Sequence, residues 1–184
     1  KFYNSSKLTL SKNEIMDQID SYLHLGIKRR LISSDLEVGS FLSGGIDSSL
    51  VAALMQKNSG ENINTFTIGF EENNYNEALH AKKIAKYLGT NHNEHYFSSK
   101  DALNIIPKIN NYYDEPFADS SQIPTHLLCC QAKKHLTVAL SGDAGDELFG
   151  GYNRYFWVRK VWSKLSWLPN GTRQLFAKAI FSLP

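Results

Sequence analysis

The sequence contains little cysteine: Cys129 and Cys130 are its two cysteines, and they are adjacent. Neighbouring cysteines rarely form a bridge, and no C-x-x-C pair is present, so a disulfide scaffold and a zinc module are both excluded. Both cysteines belong to an apolar run, residues 127–130, and we therefore predict that they are buried as small hydrophobic side chains. Such sparse cysteine is typical of a reducing cytosol and predicts a cytoplasmic protein.

The chain also lacks a long hydrophobic run and an excess of charge of one sign. No apolar segment approaches the roughly 18 residues of a membrane span, so we expect no membrane partner. The 20 basic residues nearly balance the 18 acidic residues, which gives no reason to expect a nucleic-acid partner. None of the six histidines has the spacing of metal ligands. A length of 184 residues with 42% hydrophobic residues predicts one globular domain over residues 1–184.

The pattern along the chain predicts an α/β fold. Ser11 and Glu14 have the spacing of a capping box, and apolar residues then recur every four positions, which predicts a helix over residues 12–31. Strand-like and helix-like segments alternate after it, which predicts a parallel sheet flanked by helices. The predicted strands are residues 38–42, 63–70, 95–97 and 136–140. The predicted helices are residues 46–57, 76–88, 101–112 and 121–134, followed by helical sequence from about residue 146.

Ligands of such sheets bind beyond the carboxyl ends of the strands. That rule selects residues 43–49, after the first strand, and residues 141–151, after the fourth strand. We call them the first and the second candidate loop.

The first candidate loop has the composition of a phosphate site. Gly44 and Gly45 let the backbone turn sharply and approach a ligand, and the helix start offers free N–H groups with a partial positive charge. Ser43 and Ser48 add hydroxyl groups. Asp47 suits an anion site only if a cation such as Mg²⁺ lies between its carboxylate and the phosphates. The loop is neither a Walker A motif nor a G-x-G-x-x-G motif, and the alternative interpretation is a Ser/Gly turn with a capping aspartate.

The second candidate loop is rich in carboxylates. Asp143, Asp146 and Glu147 lie within five positions at the exit of a predicted strand, where they would repel one another without a bound cation. Gly142 and Gly145 allow a tight backbone that can pack against a nucleotide. The alternative is a helix start with acidic residues in its first turn, which is a favourable arrangement in itself.

Taken together, the two loops resemble the asparagine synthetase family within the ATP-pyrophosphatase (PP-loop) superfamily. The pattern S-G-G-x-D-S occurs in several ATP pyrophosphatases, including GMP synthetase and NAD synthetase. The pattern S-G-[DE]-x-x-D-E-[LV]-F-G-G-Y is similar to the second motif of the synthetase domain of the asparagine synthetases. The resemblance extends over residues 41–155, including F-T-I-G-F at residues 66–70. It implies the adenine nucleotide alpha hydrolase-like (PP-loop ATPase) fold.

The resemblance implies an enzyme that forms an amide at the expense of ATP. In that family ATP activates a carboxylate, here most simply aspartate, as an acyl-adenylate with release of pyrophosphate, and ammonia from glutamine then attacks. The implied ligands are ATP, Mg²⁺ and the carboxylate, the implied partner is a glutaminase domain of the same chain, and a homodimer is left open. Two further interpretations remain: a nucleotide-binding module without catalysis, and a relative that amidates a sugar acid, a peptide or a β-lactam precursor.

Individual positions follow from the same resemblance. The positions that match the family's pyrophosphate site are Ser43, Gly44, Gly45 and Ser48. The positions that match its adenosine site are Phe41, Ile68, Ser141 and Gly142. Asp47 and Asp146 match the Mg²⁺ ligands, and Asp47 and Asp143 are the implied catalytic residues. Asp143 stands where well-known asparagine synthetases have a glutamate that faces the adenylate and the incoming ammonia.

The family pattern is longer than this sequence. Neither the N-terminal glutaminase domain nor the lysine-bearing segment that assists adenylate formation has a counterpart in residues 1–184. The chain starts at Lys1 without a methionine, so we expect it to be a piece of a longer protein. We also expect the 184-residue piece to be inactive in asparagine formation by itself.

Overall fold

The structure, a computed structural model, describes residues 9–71, 76–115 and 118–182. The chain divides into two compact units, Lys1–Gly142 and Asp143–Pro184, which we call the first and the second unit. The division falls inside the second candidate loop. One domain over residues 1–184 therefore stays a prediction, and each unit is described by itself.

The first unit is built on a parallel sheet, as the sequence predicts. The strands found among the described residues are β1 (Val38–Phe41), β2 (Asn64–Phe70), β3 (Asn91–Phe97) and β4 (Val138–Leu140). Their order is β3-β2-β1-β4, and every neighbouring pair is parallel. Because β1 and β4 are neighbouring parallel strands, the chain leaves both of them at the same edge of the sheet.

Apart from α4, the helices described in the first unit begin and end close to the predicted positions. They are α1 (Lys12–Ile32), α2 (Ile46–Asn58), α3 (Ala78–Leu88), α4 (Ser99–Ile105) and α5 (Gln122–Ala132). The capping box is confirmed: the Ser11 N–H donates to Glu14 Oε2 at 2.8 Å, and the Ser11 hydroxyl accepts from the Glu14 N–H at 3.4 Å. Gly89, with φ of 73°, ends α3 in the left-handed conformation.

Two predicted elements differ from the observed ones. Strand β3 starts at Asn91 rather than at residue 95, because it pairs with β2 along that strand's whole length. The helix predicted over residues 101–112 is split into α4 and a 3₁₀ helix, Ile106–Asn111. Pro107 has no backbone N–H and cannot donate the bond that would continue α4.

Helices cover both faces of the sheet. Alternate residues of a strand point to opposite faces, so β1 contributes Val38 to one core cluster and Phe41 to the other. The larger cluster joins β1 to helices α1, α2 and α3, with buried side chains that include Ile27, Met55 and Ala81. The smaller cluster is formed by Phe66, Ala132 and Leu136, with Phe41, Leu128 and Ala139 packed against it. This arrangement confirms the predicted α/β fold.

The cysteines are not buried, and that prediction is wrong. Cys129 and Cys130 are exposed free thiols. Helix α5 buries Leu127 and Ala132 and packs Leu128 against the smaller core cluster. Residues 129 and 130 fall outside this stripe, since a helix presents only every third or fourth residue to its core.

The second unit consists of helices, as the sequence predicts from about residue 146. They are α6 (Gly145–Phe149), α7 (Asn153–Leu165) and α8 (Asn170–Phe181). Gly150, with φ of 70°, ends α6. Across the described ranges, no helix is both long and apolar enough to cross a bilayer.

A close contact joins the exit of β4 to the start of α2. A Cβ atom placed on Gly142 would lie 2.6 Å from the backbone nitrogen of Ser48 and 2.9 Å from the carbonyl carbon of Asp47. Real Cβ atoms essentially never approach other heavy atoms so closely. The two candidate loops therefore touch within the first unit, and only glycine fits at the point of contact.

A buried polar cluster lies between β2 and the chain at the start of β3. Thr65 is fully buried, and its Oγ1 lies 2.8 Å from Thr90 Oγ1 and 2.9 Å from His92 Nδ1. The other ring nitrogen of His92 is buried and has no hydrogen-bond partner among the described residues. Burial lowers the pKa of His92, and this outweighs the opposing charge of Glu94. The neutral imidazole is therefore favoured in the folded chain.

We predict that Gly142→Ala destabilises the chain by about 1–3 kcal/mol, the usual cost of inserting a group into a well-packed region. The new methyl group would meet backbone atoms of Asp47 and Ser48, which cannot rotate away. Urea denaturation measures the change. Gly60→Ala is the matched control, because nothing lies within 4 Å of its added Cβ. Equal stability of the two variants would contradict the close packing.

We also predict a pH dependence of stability that originates at His92. Its pKa in the folded chain lies below the ordinary 6.5, so the unfolded chain binds the proton more readily. The free energy of unfolding should therefore fall as pH drops from 6.5 towards the lower folded pKa. Urea denaturation between pH 7.5 and 5.5 measures this slope, and His92→Gln should reduce it. If the variant keeps the wild-type slope, the pH dependence of stability originates at a group other than His92.

Candidate functional site

The first candidate loop carries the chain from β1 into α2. Gly44 adopts φ of 87°, a conformation that glycine reaches without strain. Gly45 is the N-cap residue of α2, and no side chain caps this helix. The first N–H groups of a helix have no acceptor within the helix. Those of α2 can therefore bind an anion such as phosphate.

Serine hydroxyls fix the shape of this loop. The buried Ser48 places its Oγ 2.9 Å from Ser43 Oγ, and it accepts the Ser43 N–H at 3.2 Å. Ser49 donates to the Gly45 carbonyl oxygen at 2.6 Å. The structure thus brings Ser43, Gly45 and Ser48 together through hydrogen bonds. It also gives Ser48 a local role that the sequence alone did not reveal, because its hydroxyl holds the turn.

The four residues that match an adenosine site lie at the carboxyl-end edge of the sheet. Phe41 pairs with Phe66 in the adjacent strand. Phe41 and Ile68 therefore lie on the same face, since every second residue of a strand does so. Both are half-buried. Ser141 and Gly142 leave β4, which pairs with β1 on its other side.

The acidic residues after Gly142 belong to the second unit. Asp143 is exposed, whereas Asp146 is half-buried in α6. Ala144 before the helix has φ of 69°, a conformation that is uncommon for residues other than glycine and is enriched at functional sites. A Cβ atom on Gly151 would collide with the Asp146 carboxylate. Gly151 therefore leaves room for the Asp146 carboxylate.

Glu147 is hydrogen-bonded within the second unit. The Tyr152 hydroxyl donates to Glu147 Oε1 at 2.6 Å, and the Arg154 guanidinium lies 4.1 Å from the centre of the Tyr152 ring. The hydrogen bond from Tyr152 lowers the pKa of Glu147. This carboxylate is thus stabilised in its ionised form without a cation, unlike the expectation for three acidic residues in one loop.

His80 lies beside the first candidate loop, and the sequence did not indicate this contact. A Cβ atom on Gly44 would lie 2.9 Å from His80 Cβ and 3.0 Å from the Ala81 nitrogen. The first turn of α3 is therefore packed against the loop. No motif in the sequence indicates this contact, because α3 and the loop are distant along the chain.

The available donors fit a magnesium ion in their chemistry. No group of three or more His, Cys, Asp or Glu side chains in the described part of the chain could hold a metal by itself. Mg²⁺ does not require such a group, because it commonly uses one or two carboxylates together with substrate phosphates and waters. Asp47 in α2 and Asp146 in α6 are half-buried carboxylates of this kind.

Comparison with known proteins gives a consistent picture. The family model described as Asparagine synthase matches residues 18–183. Asparagine synthetase [glutamine-hydrolyzing] 1 of Bacillus subtilis is 46% identical over 122 residues, which cover 66% of this chain and 19% of the relative. Asparagine synthetase [glutamine-hydrolyzing] of Mus musculus is 32% identical over 162 residues, which cover 83% of this chain and 28% of the relative. The chain thus spans about a quarter of the length of these relatives.

Solved structures of low sequence identity share the fold. The NH3-dependent NAD synthetase from Campylobacter jejuni has a TM-score of 0.51 at 20% identity, over 74% of this chain and 60% of the other. The NMN synthetase from Francisella tularensis has a TM-score of 0.52 at 15% identity, over 74% and 58%. Both support the predicted PP-loop ATPase fold.

The family model spans nearly the whole chain, and both candidate loops stand in the predicted order along it. The chain belongs to the asparagine synthase family.

Proposed function

We propose that this chain is the ATP-binding part of a ligase that activates aspartate as an acyl-adenylate and amidates it to asparagine. The observation that carries the proposal is the contact of Gly142 with the uncapped start of α2. It places Gly142, the last residue of the first unit, beside backbone N–H groups that are available for phosphate. The names of the relatives support aspartate as the carboxylate and a glutaminase domain as the source of ammonia.

In this proposal the first candidate loop holds the β- and γ-phosphates as one pyrophosphate unit. The donors are the N–H groups of the first turn of α2 and the exposed hydroxyl of Ser43, while Gly44 and Gly45 let the backbone approach. These donors are fixed before the reaction begins, so little reorganisation is needed as negative charge builds up on the leaving group. Ser48 contributes by holding Ser43 in place.

We assign Mg²⁺ to Asp47 and Asp146. When bound, the ion would neutralise charge on the departing pyrophosphate. The position of Asp47 in the first turn of α2, directly after the phosphate-binding turn, supports its assignment. The assignment of Asp146 rests on its place in the second motif and on the space that Gly151 leaves for its carboxylate.

The adenosine and the carboxylate complete the proposed site. Phe41 and Ile68 flank the adenosine, and Ser141 and Gly142 contact it. Asp143 faces the adenylate and the incoming ammonia. The first step needs no general base, because the substrate carboxylate is already a nucleophile. The main task of the chain is then to align that carboxylate with the α-phosphorus.

Free thiols at residues 129 and 130 support a cytoplasmic location.

We predict that Mg²⁺ strengthens binding of ATP to the chain and leaves binding of AMP nearly unchanged, because AMP lacks the two phosphates that the loop and the ion would hold. Asp47→Asn should remove most of the Mg²⁺ effect. Isothermal titration calorimetry measures both affinities. Asp17→Asn, an exposed aspartate of α1, is the matched control and should behave as wild type. No detectable binding at millimolar ATP with Mg²⁺ would refute the site.

We predict a second effect of Asp47→Asn in the complete protein to which this chain belongs. Exchange of labelled pyrophosphate into ATP should require aspartate and should fall by about 10²–10³ in the variant, the usual cost of losing one electrostatic contact in the transition state. Hydrolysis of glutamine should persist. Exchange at the wild-type rate would show that Asp47 does not act on the pyrophosphate. Exchange that depends on another carboxylate would identify a different substrate.

A further inference from the structure

His80 lies against the turn of the first candidate loop. It is in the first turn of α3, where its backbone N–H donates to the Glu77 carbonyl oxygen at 3.0 Å. Its Cβ lies 2.9 Å from the point where a Cβ of Gly44 would be. The backbone of Gly44 and the Cβ of His80 are therefore in direct van der Waals contact. The base of the His80 side chain thus lies beside the loop.

The His80 side chain is exposed. Three of the six histidines have a described side-chain hydrogen-bond partner: Asn58 for His24, Thr65 for His92 and Cys130 for His126. Among the described residues, by contrast, nothing exchanges a hydrogen bond with the His80 ring. An imidazole in this position can donate an N–H to a ligand without breaking an existing contact.

The position of His80 also determines which part of ATP it could reach. Helix α3 packs on the face of the sheet that carries the larger core cluster, through Ala81 and Ala85. Phe41 belongs to the opposite face, with the smaller cluster, and Ile68 lies on that opposite face too. His80 thus lies on the other face of the sheet from Phe41 and Ile68, and it adjoins the phosphate-binding turn.

We propose that His80 is a further pyrophosphate-binding residue, whose imidazole N–H donates a hydrogen bond to an oxygen of the β- or γ-phosphate. This inference rests on the proposed function of the first candidate loop. It adds a side-chain donor from α3 to the backbone donors of α2, so that two helices hold the leaving group. Gly44 then serves two purposes, the left-handed turn and the space that lets α3 approach.

The test compares three ligands and three variants by calorimetry. His80→Leu removes the donor at similar size, and it should weaken binding of Mg²⁺–ATP and of inorganic pyrophosphate about tenfold, the lower range for a hydrogen bond to a charged group. Binding of AMP should not change. His80→Gln keeps an N–H donor and should restore part of the loss. Tyr87→Leu, two turns further along α3 and 89% exposed, is the control and should bind all three ligands as wild type does.

The outcomes separate this inference from the proposed function. If the wild-type chain binds neither Mg²⁺–ATP nor pyrophosphate, the phosphate site itself is refuted. If the wild type binds both and His80→Leu binds them equally well, the loop stands and the role of His80 is overturned. An equal loss of ATP and AMP affinity in His80→Leu would also overturn it, because it would show that His80 only supports the structure. Failure of His80→Gln to recover any affinity would exclude the N–H donor.

Discussion

The candidate site depends on the packing of Gly142 against the first turn of α2. Parallel pairing of β1 with β4 brings the two chain exits to one edge of the sheet, but pairing alone leaves room for side chains between them. A Cβ atom at residue 142 would lie within 3.0 Å of three backbone atoms of Asp47 and Ser48. The absence of that one carbon lets Gly142 lie directly on the helix start. Any residue larger than glycine would be pushed away from Asp47 and Ser48.

Most of the groups proposed to bind phosphate at this edge of the sheet are backbone N–H groups. The start of α2 has no side-chain cap, and an uncapped helix start is costly unless water or a ligand satisfies its N–H groups. Serines 43 and 48 bond each other and keep the turn in shape. In the proposed site, nearby side chains would select the anion. A carboxylate at Asp47 would repel an isolated phosphate, so the loop suits an anion that arrives together with a cation.

Much of this arrangement can be predicted from the sequence, because the features concerned are local. The capping box of Ser11 and the C-cap at Gly89 depend on residues a few positions apart, and the alternation of strands and helices gives the parallel sheet. Features set by distant residues were missed. Strand β3 is longer than its composition indicates because β2 pairs with all of it. Cys129 is exposed because the orientation of α5, rather than the polarity of the run, decides burial. His80 meets Gly44 only after α3 packs on the sheet.

In the proposed site, backbone amides at the start of α2 hold the phosphates of ATP, and Gly142 contacts the adenosine. The most direct measurement is a map of amide chemical shifts in the ¹⁵N-labelled chain, titrated with Mg²⁺ and a non-hydrolysable ATP analogue. We expect the largest changes at residues 44–48 and 142, and far smaller changes at residues 44–48 with AMP. Unchanged amides at residues 44–48, with the largest shifts elsewhere in the chain, would contradict it.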